Sequence, residues 1–490
     1  MAAFLSNGEV GQKSRVPLII GGKDSEGSRP FHVKNPAGEV VWEATGASVQ
    51  DAVKAVEAAE AALPAWAATK PAVRRDVFLR AADIFAQRYD EFVRYQVEET
   101  GADPVFIDWI LKLTIDNLKE VAGKCSLVQG SIPACSEDGR AAFVLREPYG
   151  VILGIAPWNA PWPLGVRAFS LALAAGNTCV LKGPELAPKC FYAIVDAFRQ
   201  AGLPDGVLNL VFHRPQDASE ITTALIAHPA VKKVNFTGST AVGSIISATA
   251  GKYLKPIITE LGGKASLIVL ADADIEKAAA AATMGAFLHA GQVCMSTERV
   301  IVHASIVDKF IAAFKASTAA TYDGPNAPIP TLVSNTGALK TKKLVSSALK
   351  HGAEVLFGDA ADSTEGNSSY STARMKPIIL RRVEKGTDLY VQESFGPSAA
   401  LYTFETEAEA LEIANDTEYG LSGGVFTSDL AAGLRIARAY ETGAVHINHM
   451  TIFDDSNLPH GGTKQSGFGR FSGLAGLDEW LRYKVVTYDA

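Results

Sequence analysis

Val151-Ile-Leu-Gly-Ile-Ala156, Thr178-Cys-Val-Leu-Lys182, Val207-Leu-Asn-Leu-Val-Phe212 and Lys232-Lys-Val-Asn-Phe236 are four short apolar runs inside the stretch from Tyr149 to Val269. Each is short and rich enough in β-branched residues to predict a strand. Helical patterns lie between them, over 164–175, 188–201 and 217–227. This βαβαβ alternation predicts a mostly parallel sheet covered by helices. From Ala265 the alternation starts again, with strands expected at 266–270 and 299–303 and helices at 275–290 and 306–316. A second α/β unit follows from that. Further strands are expected at 445–448 and 483–488.

Upstream, 30–45 reads as strand and turn. Ser48-Val-Gln-Asp51 has the form of a capping box, and Val53, Val56 and Leu63 fall roughly on one face of the helix it opens. Pro64 is expected to break that helix. The next should begin near Pro71, a proline suited to a first helical turn, with Val77, Ala81 and Ile84 as its apolar stripe. Two strand-like segments, 141–146 and 484–488, have no obvious place in either sheet. They need a pairing partner in this chain or in another subunit.

A chain of 490 residues allows two to four domains. With 48% hydrophobic and 20% charged residues, it is not a disordered chain. Acidic residues outnumber basic ones, 53 to 46, giving a net charge of −7, so a broad nucleic-acid surface is not expected. No repeat of solenoid or propeller type is visible. The N-terminus lacks the pattern of a secretory leader, and the C-terminus carries no lipidation or peroxisomal signal. Two stretches without charge, 148–166 and 278–297, are interrupted by four prolines and Asn159 in the first and by His289, Gln292 and two glycines in the second. Neither reads as a membrane helix. The five cysteines are sparse, odd in number and without a CxxC pair, so neither a disulfide framework nor a zinc site is expected. A soluble, cytoplasmic protein is the natural expectation.

Three single residues and one set of nucleotide-binding hints have the residue types that chemistry needs. Cys294 follows a Gly-Gln turn, and a thiol there becomes a nucleophile if it is partly exposed and ionisable; alternatively it is a small buried hydrophobe. Glu260 is followed by Leu-Gly-Gly and suits a general base, or else a solvated strand-end glutamate. Asn159 lies just past the carboxyl end of a parallel strand, where open α/β sheets bind ligands. Its amide suits a developing oxyanion, or it simply caps the turn. Val234-Asn-Phe-Thr-Gly-Ser-Thr-Ala-Val-Gly243 is a strand, a small-residue turn and a helix start, which suits a phosphate without matching GxGxxG or a P-loop. Lys182 and Glu185 follow a strand and either hold ribose hydroxyls or form a charged loop.

Taken in order, these motifs resemble the NAD(P)-dependent aldehyde dehydrogenase superfamily. The match runs through Pro157-Trp-Asn159, Leu181-Lys-Gly-Pro-Glu185, Phe236-Thr-Gly-Ser239, Glu260-Leu-Gly-Gly-Lys264, Gly291-Gln-Val-Cys294, Glu393-Ser-Phe-Gly-Pro397, Tyr419-Gly-Leu-Ser-Gly-Gly-Val425 and Gly461-Gly-Thr-Lys-Gln-Ser-Gly-Phe-Gly-Arg470. It covers nearly the whole chain. The resemblance implies that Cys294 attacks the aldehyde carbon and that Asn159, with the Cys294 backbone N–H, holds the oxyanion. Hydride transfer to the nicotinamide then leaves a thioester, and Glu260 activates the water that cleaves it. It also implies that Trp158, Lys182, Glu185, Gly238, Ser239, Gly262, Glu393 and Phe395 bind the coenzyme. Lys182 and Glu185 stand at the adenosine ribose, Ser239 at the pyrophosphate, and Glu393 and Phe395 at the nicotinamide end. A carboxylate at Glu185 repels a 2′-phosphate, which favours NAD over NADP. The loop departs from the common Lys-Pro-Ser-Glu, and His289 stands where asparagine is common.

The implied fold is α/β: a Rossmann-like NAD-binding domain from 1–128 and 150–260, an α/β catalytic domain at 261–465, and a small β oligomerisation part from 129–149 and 466–490. In the family that part pairs across subunits, so a homodimer or homotetramer is expected. No metal is implied. Around Ala160 and Arg167 the pattern looks similar to salicylaldehyde, benzaldehyde and vanillin dehydrogenases. Ala160 replaces a common aromatic, Arg167 is placed to meet a ring hydroxyl or a ring face, and Trp162, Phe453 and His460 are expected around the aldehyde. Arg167 pairing with a structural carboxylate is the alternative. A semialdehyde dehydrogenase, with Arg167 binding a substrate carboxylate, is the second enzymatic reading. A catalytically silent structural or NAD-binding protein is the reading of another class, and it predicts loss of Cys294 or Glu260, both of which are present.

Overall fold

The structure, a computed structural model, describes residues 15–324, 327–360 and 373–489. The first fourteen residues of the segment read for a leader, 1–20, and the last residue of the chain lie outside these. Eight strands form the first sheet, in the order Gly467–Phe468, Ile257–Glu260, Val231–Thr237, Val151–Ile155, Thr178–Lys182, Leu208–Val211, Leu18–Ile20, Lys23–Ser25. The five from Ile257–Glu260 to Leu208–Val211 are parallel, as the βαβαβ pattern predicts. Val151–Ile155 comes first in the chain among these five yet lies in the middle. Its neighbours on the two sides are reached in opposite directions, which opens a crevice at the carboxyl ends of Val151–Ile155 and Val231–Thr237.

The chain crosses to a second sheet between Glu260 and Ala265. That sheet runs Glu354–Phe357, Ile378–Arg381, Ser398–Phe404, Thr297–His303, Ala265–Val269, Gly423–Phe426, Val445–Ile447. All its pairs are parallel except the first. Arg140–Pro148 and Leu481–Asp489, the two strands without an evident place, pair with each other antiparallel over their whole length. The division that groups 466–490 with them is crossed by backbone pairing, because Gly467–Phe468 hydrogen-bonds to Thr259 and Glu260 in the first sheet.

Several helices differ from their expected ends. Pro64 lies inside Val49–Ala67, which also carries the capping box at Ser48 and Asp51. Ala55, Val56, Ala59 and Trp66 are buried along it, and that burial outweighs the one N–H bond a proline removes. The helix expected over 164–175 is two, Pro161–Arg167 and Ser170–Ala174, because Asn235 Nδ2 takes the carbonyls of Arg167 and Ala168 at 3.3 and 3.0 Å. Ile275–Phe287 ends three residues early, where His289 and Ala290 take positive φ. Val307–Tyr322 runs six residues past its expected end. Helices Tyr89–Thr100 and Pro104–Lys124 were not anticipated. Among the described residues no helix is long and apolar enough to cross a membrane, and none of the five cysteines is in a disulfide.

Candidate active site

Glu260 is the last residue of its strand, in register with Thr237 at the open crevice. Cys294 comes from the other side, just ahead of Thr297–His303 in the second sheet. The turn that delivers it has three consecutive left-handed residues, His289, Ala290 and Gly291, with φ of 50°, 57° and 72°. At Gly291 a Cβ would stand 2.2 Å from the carbonyl oxygen of Gly396, so only glycine fits. The Gln292 amide locks the turn: its Nε2 donates to the His289 carbonyl at 3.0 Å, and its Oε1 accepts from the Val333 N–H at 2.9 Å.

The Cys294 thiol donates to Glu260 Oε1 at 2.9 Å. Asn159 is held by a hydrogen bond from its Nδ2 to the Gln292 carbonyl at 3.0 Å. Residues from positions 159, 260 and 294 therefore meet at one point. Burial, followed by the charges of Glu260 and Glu393, pushes the Cys294 thiol well above its ordinary value, and Arg167 only partly opposes this. Burial also pushes the Glu260 carboxyl up, but His460, Arg167 and the thiol outweigh it and hold the carboxyl below its usual value. The resting pair is a thiol on a carboxylate.

Two cavities adjoin at this point. The outer cleft has a volume of about 340 Å³ and is lined by Trp158, Thr237, Gly238, Ser239, Gly262, Glu393 and Phe395, among others. The inner cavity is narrow, about 30 Å³, and is lined by Phe106, Trp109, Ile110, Leu113, Ala160, Arg167, Asp454 and His460, among others. Asn159, Glu260 and Cys294 line both.

The outer cleft fits a dinucleotide. Thr240–Lys252 begins there, with Ser239 as its N-cap accepting from the Val242 N–H at 3.4 Å, so this helix N-terminus is of the kind that suits an anion. At Gly262 a Cβ would meet Glu393 Oε2 at 2.6 Å, and Glu393 Oε1 accepts the Gly263 N–H at 2.9 Å. Trp158 and Phe395 meet edge to face at 6.0 Å. Lys182 is buried at its strand end with Glu185 as its charge neighbour, one strand away from the crevice, and neither lines the cleft itself. Burial, then the charge of Glu298, pushes the Glu393 carboxyl up to about 7.

Two expected aldehyde contacts are not in the inner wall. Trp162 is fully buried, stacked on Phe92 at 4.7 Å and edge-on to Phe85 at 6.3 Å, because its place in the helix points it back into the core. Phe453 packs against His446 and His449 on the exposed side of its loop. Arg167 does line the cavity, but it is ion-paired to Asp454, with Glu260 Oε2 at 3.8 Å from its Nη1. The alternative of a structural carboxylate partner is therefore the observed one.

Sequence reasoning missed three groups. The aromatic wall from Pro104–Lys124 carries a readable signal, Asp103 capping Val105 and the Phe106, Ile110, Leu113 spacing, but nothing local says that it faces the thiol. Asp454 looks like an ordinary loop acid. Glu298 is buried and accepts from the Ser394 N–H at 2.7 Å, the Ser394 hydroxyl at 3.1 Å and the Phe395 N–H at 3.3 Å, while Lys264 pairs with its other oxygen. His289, the departure from asparagine, stacks on Phe106 at 4.3 Å.

A Rossmann-like sheet whose crevice ends at a cysteine thiol defines a nucleotide-dependent enzyme that works through that thiol. The chain belongs to the aldehyde dehydrogenase family, whose model matches residues 23–486, and is an NAD(P)-dependent aldehyde dehydrogenase. It is 41% identical over 479 residues to a vanillin dehydrogenase of Pseudomonas fluorescens, covering 96% of this chain and 97% of the relative. A salicylaldehyde dehydrogenase of Pseudomonas putida is 38% identical over 472 residues, covering 95% and 96%. Among solved structures, the salicylaldehyde dehydrogenase from Pseudomonas putida G7 complexed with salicylaldehyde superimposes with a TM-score of 0.93 at 37% identity, covering 97% of this chain and 98% of that one.

Proposed function

We propose that the protein oxidises an aromatic aldehyde to its carboxylic acid with NAD, using Cys294 as nucleophile, Glu260 as base and Asn159 as oxyanion donor. The observation that carries this reading is the Cys294–Glu260 contact at the point where the outer cleft meets the narrow inner cavity that Phe106 and Trp109 line. Glu260 accepts the thiol proton, and the sulfur adds to the aldehyde carbon. The new oxyanion meets the Asn159 amide and the Cys294 N–H. A nicotinamide coenzyme in the outer cleft would supply the hydride acceptor, with Glu393, Ser239 and Gly262 around it and Lys182 and Glu185 at its far ribose. The acyl group left on sulfur is cleaved by water as Glu260 takes a proton from that water.

The aromatic preference rests on Phe106, Trp109 and the small Ala160 around the inner cavity and on the names of the similar enzymes. A semialdehyde carboxylate would have to displace Asp454 from Arg167, which disfavours that reading. The Arg140–Pro148 and Leu481–Asp489 pair leaves Phe143, Leu145, Tyr483 and Val485 exposed, which supports a homodimer or dimer of dimers through this surface.

NADH formation with vanillin, salicylaldehyde, benzaldehyde, hexanal and succinic semialdehyde, each with NAD and NADP, tests the proposal. Preference for the aromatic aldehydes with NAD is expected. Higher kcat/KM for succinic semialdehyde would overturn the aromatic reading. NAD binding without turnover of any aldehyde would return the silent-protein reading.

A further inference from the structure

Glu260 takes up a proton at two points of the proposed cycle and must give it away each time. Its carboxylate is fully buried, and Oε2 has no hydrogen-bond partner among the described residues. Among the described residues, Oε1 meets the Cys294 thiol at 2.9 Å and, at 3.6 Å, Nε2 of His460. That nitrogen is itself buried and has no hydrogen-bond partner among the described residues. On the other side of the imidazole, Nδ1 stands 4.0 Å from Asp454 Oδ1, and Asp454 is ion-paired to Arg167. The four groups close a ring: Glu260, His460, Asp454, Arg167. His460 is fixed in it by its backbone, which exchanges two hydrogen bonds of 2.7 Å with Phe471.

We propose that His460 is a positioning residue that relieves Glu260 of its proton during turnover. The inference rests on the reading of Cys294 and Glu260 given above. The O–H bond of the Glu260 carboxylic acid breaks, the N–H bond at Nε2 of His460 forms, and the carboxylate is regenerated for the next step. The imidazolium then passes that proton to water in the inner cavity that His460 lines, which frees it to accept the second; nothing is oxidised or reduced. The imidazolium is offset by Asp454, which stays ionised beside Arg167. A closure of a few tenths of an ångström brings the 3.6 Å gap into hydrogen-bond range. The charged and titratable neighbours facing the imidazole are Glu260 and Cys294 from the sheet junction, Arg167 from its helix, Asp454 from the preceding loop, and His446 beyond. His446 is held in its neutral form, chiefly by burial, so it adds no charge at neutral pH. The same ring explains why Arg167 is ion-paired and still borders the cavity.

Stopped-flow measurement of the NADH burst, together with steady-state kcat over pH 5–9, tests the assignment with NAD and whichever aromatic aldehyde is turned over. His460→Phe keeps the ring volume and removes the proton acceptor. His460→Gln keeps polarity and guards against a folding artefact. Steady-state kcat is expected to fall about 10-fold or more in both. The burst should be retained, the pH dependence of kcat should differ from that of the native protein, and added imidazole should partly restore turnover. Unchanged kcat and pH profile would overturn the proposal, as would an equal loss of burst and kcat without imidazole rescue. Glu260→Gln is the control. If it turns over normally, the reading of Glu260 as base has failed. If it is slow while His460→Phe is not, only the assignment of His460 has failed.

Discussion

Glu298→Gln is the most informative single change, because it separates the fold from the coenzyme site. The Glu298 carboxylate holds the backbone of Ser394 and Phe395 with one oxygen and the Lys264 ammonium with the other. A glutamine keeps the shape but turns one acceptor into a donor, so its NH₂ must face either Lys264 or the loop N–H groups. In the first case Lys264 keeps the Gln392 carbonyl at 2.7 Å and loses its side-chain acceptor; in the second the Ser394 and Phe395 N–H groups lose theirs. Breaking a buried pair from one side costs about 3–5 kcal/mol. Weakening the loop contacts frees Glu393 and Phe395 on the wall of the outer cleft, and loss of one charge-assisted bond, about 1.5–3 kcal/mol, corresponds to roughly 10–100-fold in affinity. Urea unfolding and calorimetric titration of NAD read the two effects. Glu298→Gln should unfold at lower urea and bind NAD at least about 10-fold more weakly. Lys264→Met combined with Glu298→Met removes both charges, so it should recover much of the stability but not the affinity. Native urea midpoint and NAD affinity in Glu298→Gln would refute the reasoning.

Asn159→Ala should lower kcat about 100- to 1000-fold with little change in KM, as loss of one oxyanion donor does; an unchanged kcat would remove Asn159 from the oxyanion site. Trp162→Ala should lower stability by about 3–5 kcal/mol in chemical denaturation while leaving the ranking of aldehydes intact, since the ring is a core group; a changed ranking would put it back in the cavity wall. NAD affinity should weaken as pH falls through about 7, where Glu393 takes a proton and can accept fewer hydroxyl hydrogen bonds. Glu393→Gln should flatten that dependence; a flat profile in the native protein would show that Glu393 does not titrate against the coenzyme.

The local readings that succeeded were those whose cause is local. The four apolar runs from Val151 to Phe236 became adjacent parallel strands because period and length report backbone conformation directly. The order of Asn159, Glu260 and Cys294 within their motifs marked them out, and the structure brings them to one junction. Trp162 and Phe453 misled because position along the chain near a site does not give the direction of a side chain in a short helix or loop. Pro64 misled because the rule that prolines end helices weighs one hydrogen bond and ignores the buried face.

By itself the sequence determined the α/β class and marked Asn159, Glu260 and Cys294 as candidate reactive groups, since these depend on residue type and on spacing within a few residues. Only the tertiary structure decided what surrounds those groups. Arg167 and Asp454 are 287 residues apart and Glu260 and His460 are 200 apart, yet each pair meets in the fold. Whether an arginine is a ligand or already paired, and whether a thiol rests protonated, is set by burial and by charges a few ångströms away. Those exist only once distant segments have packed together.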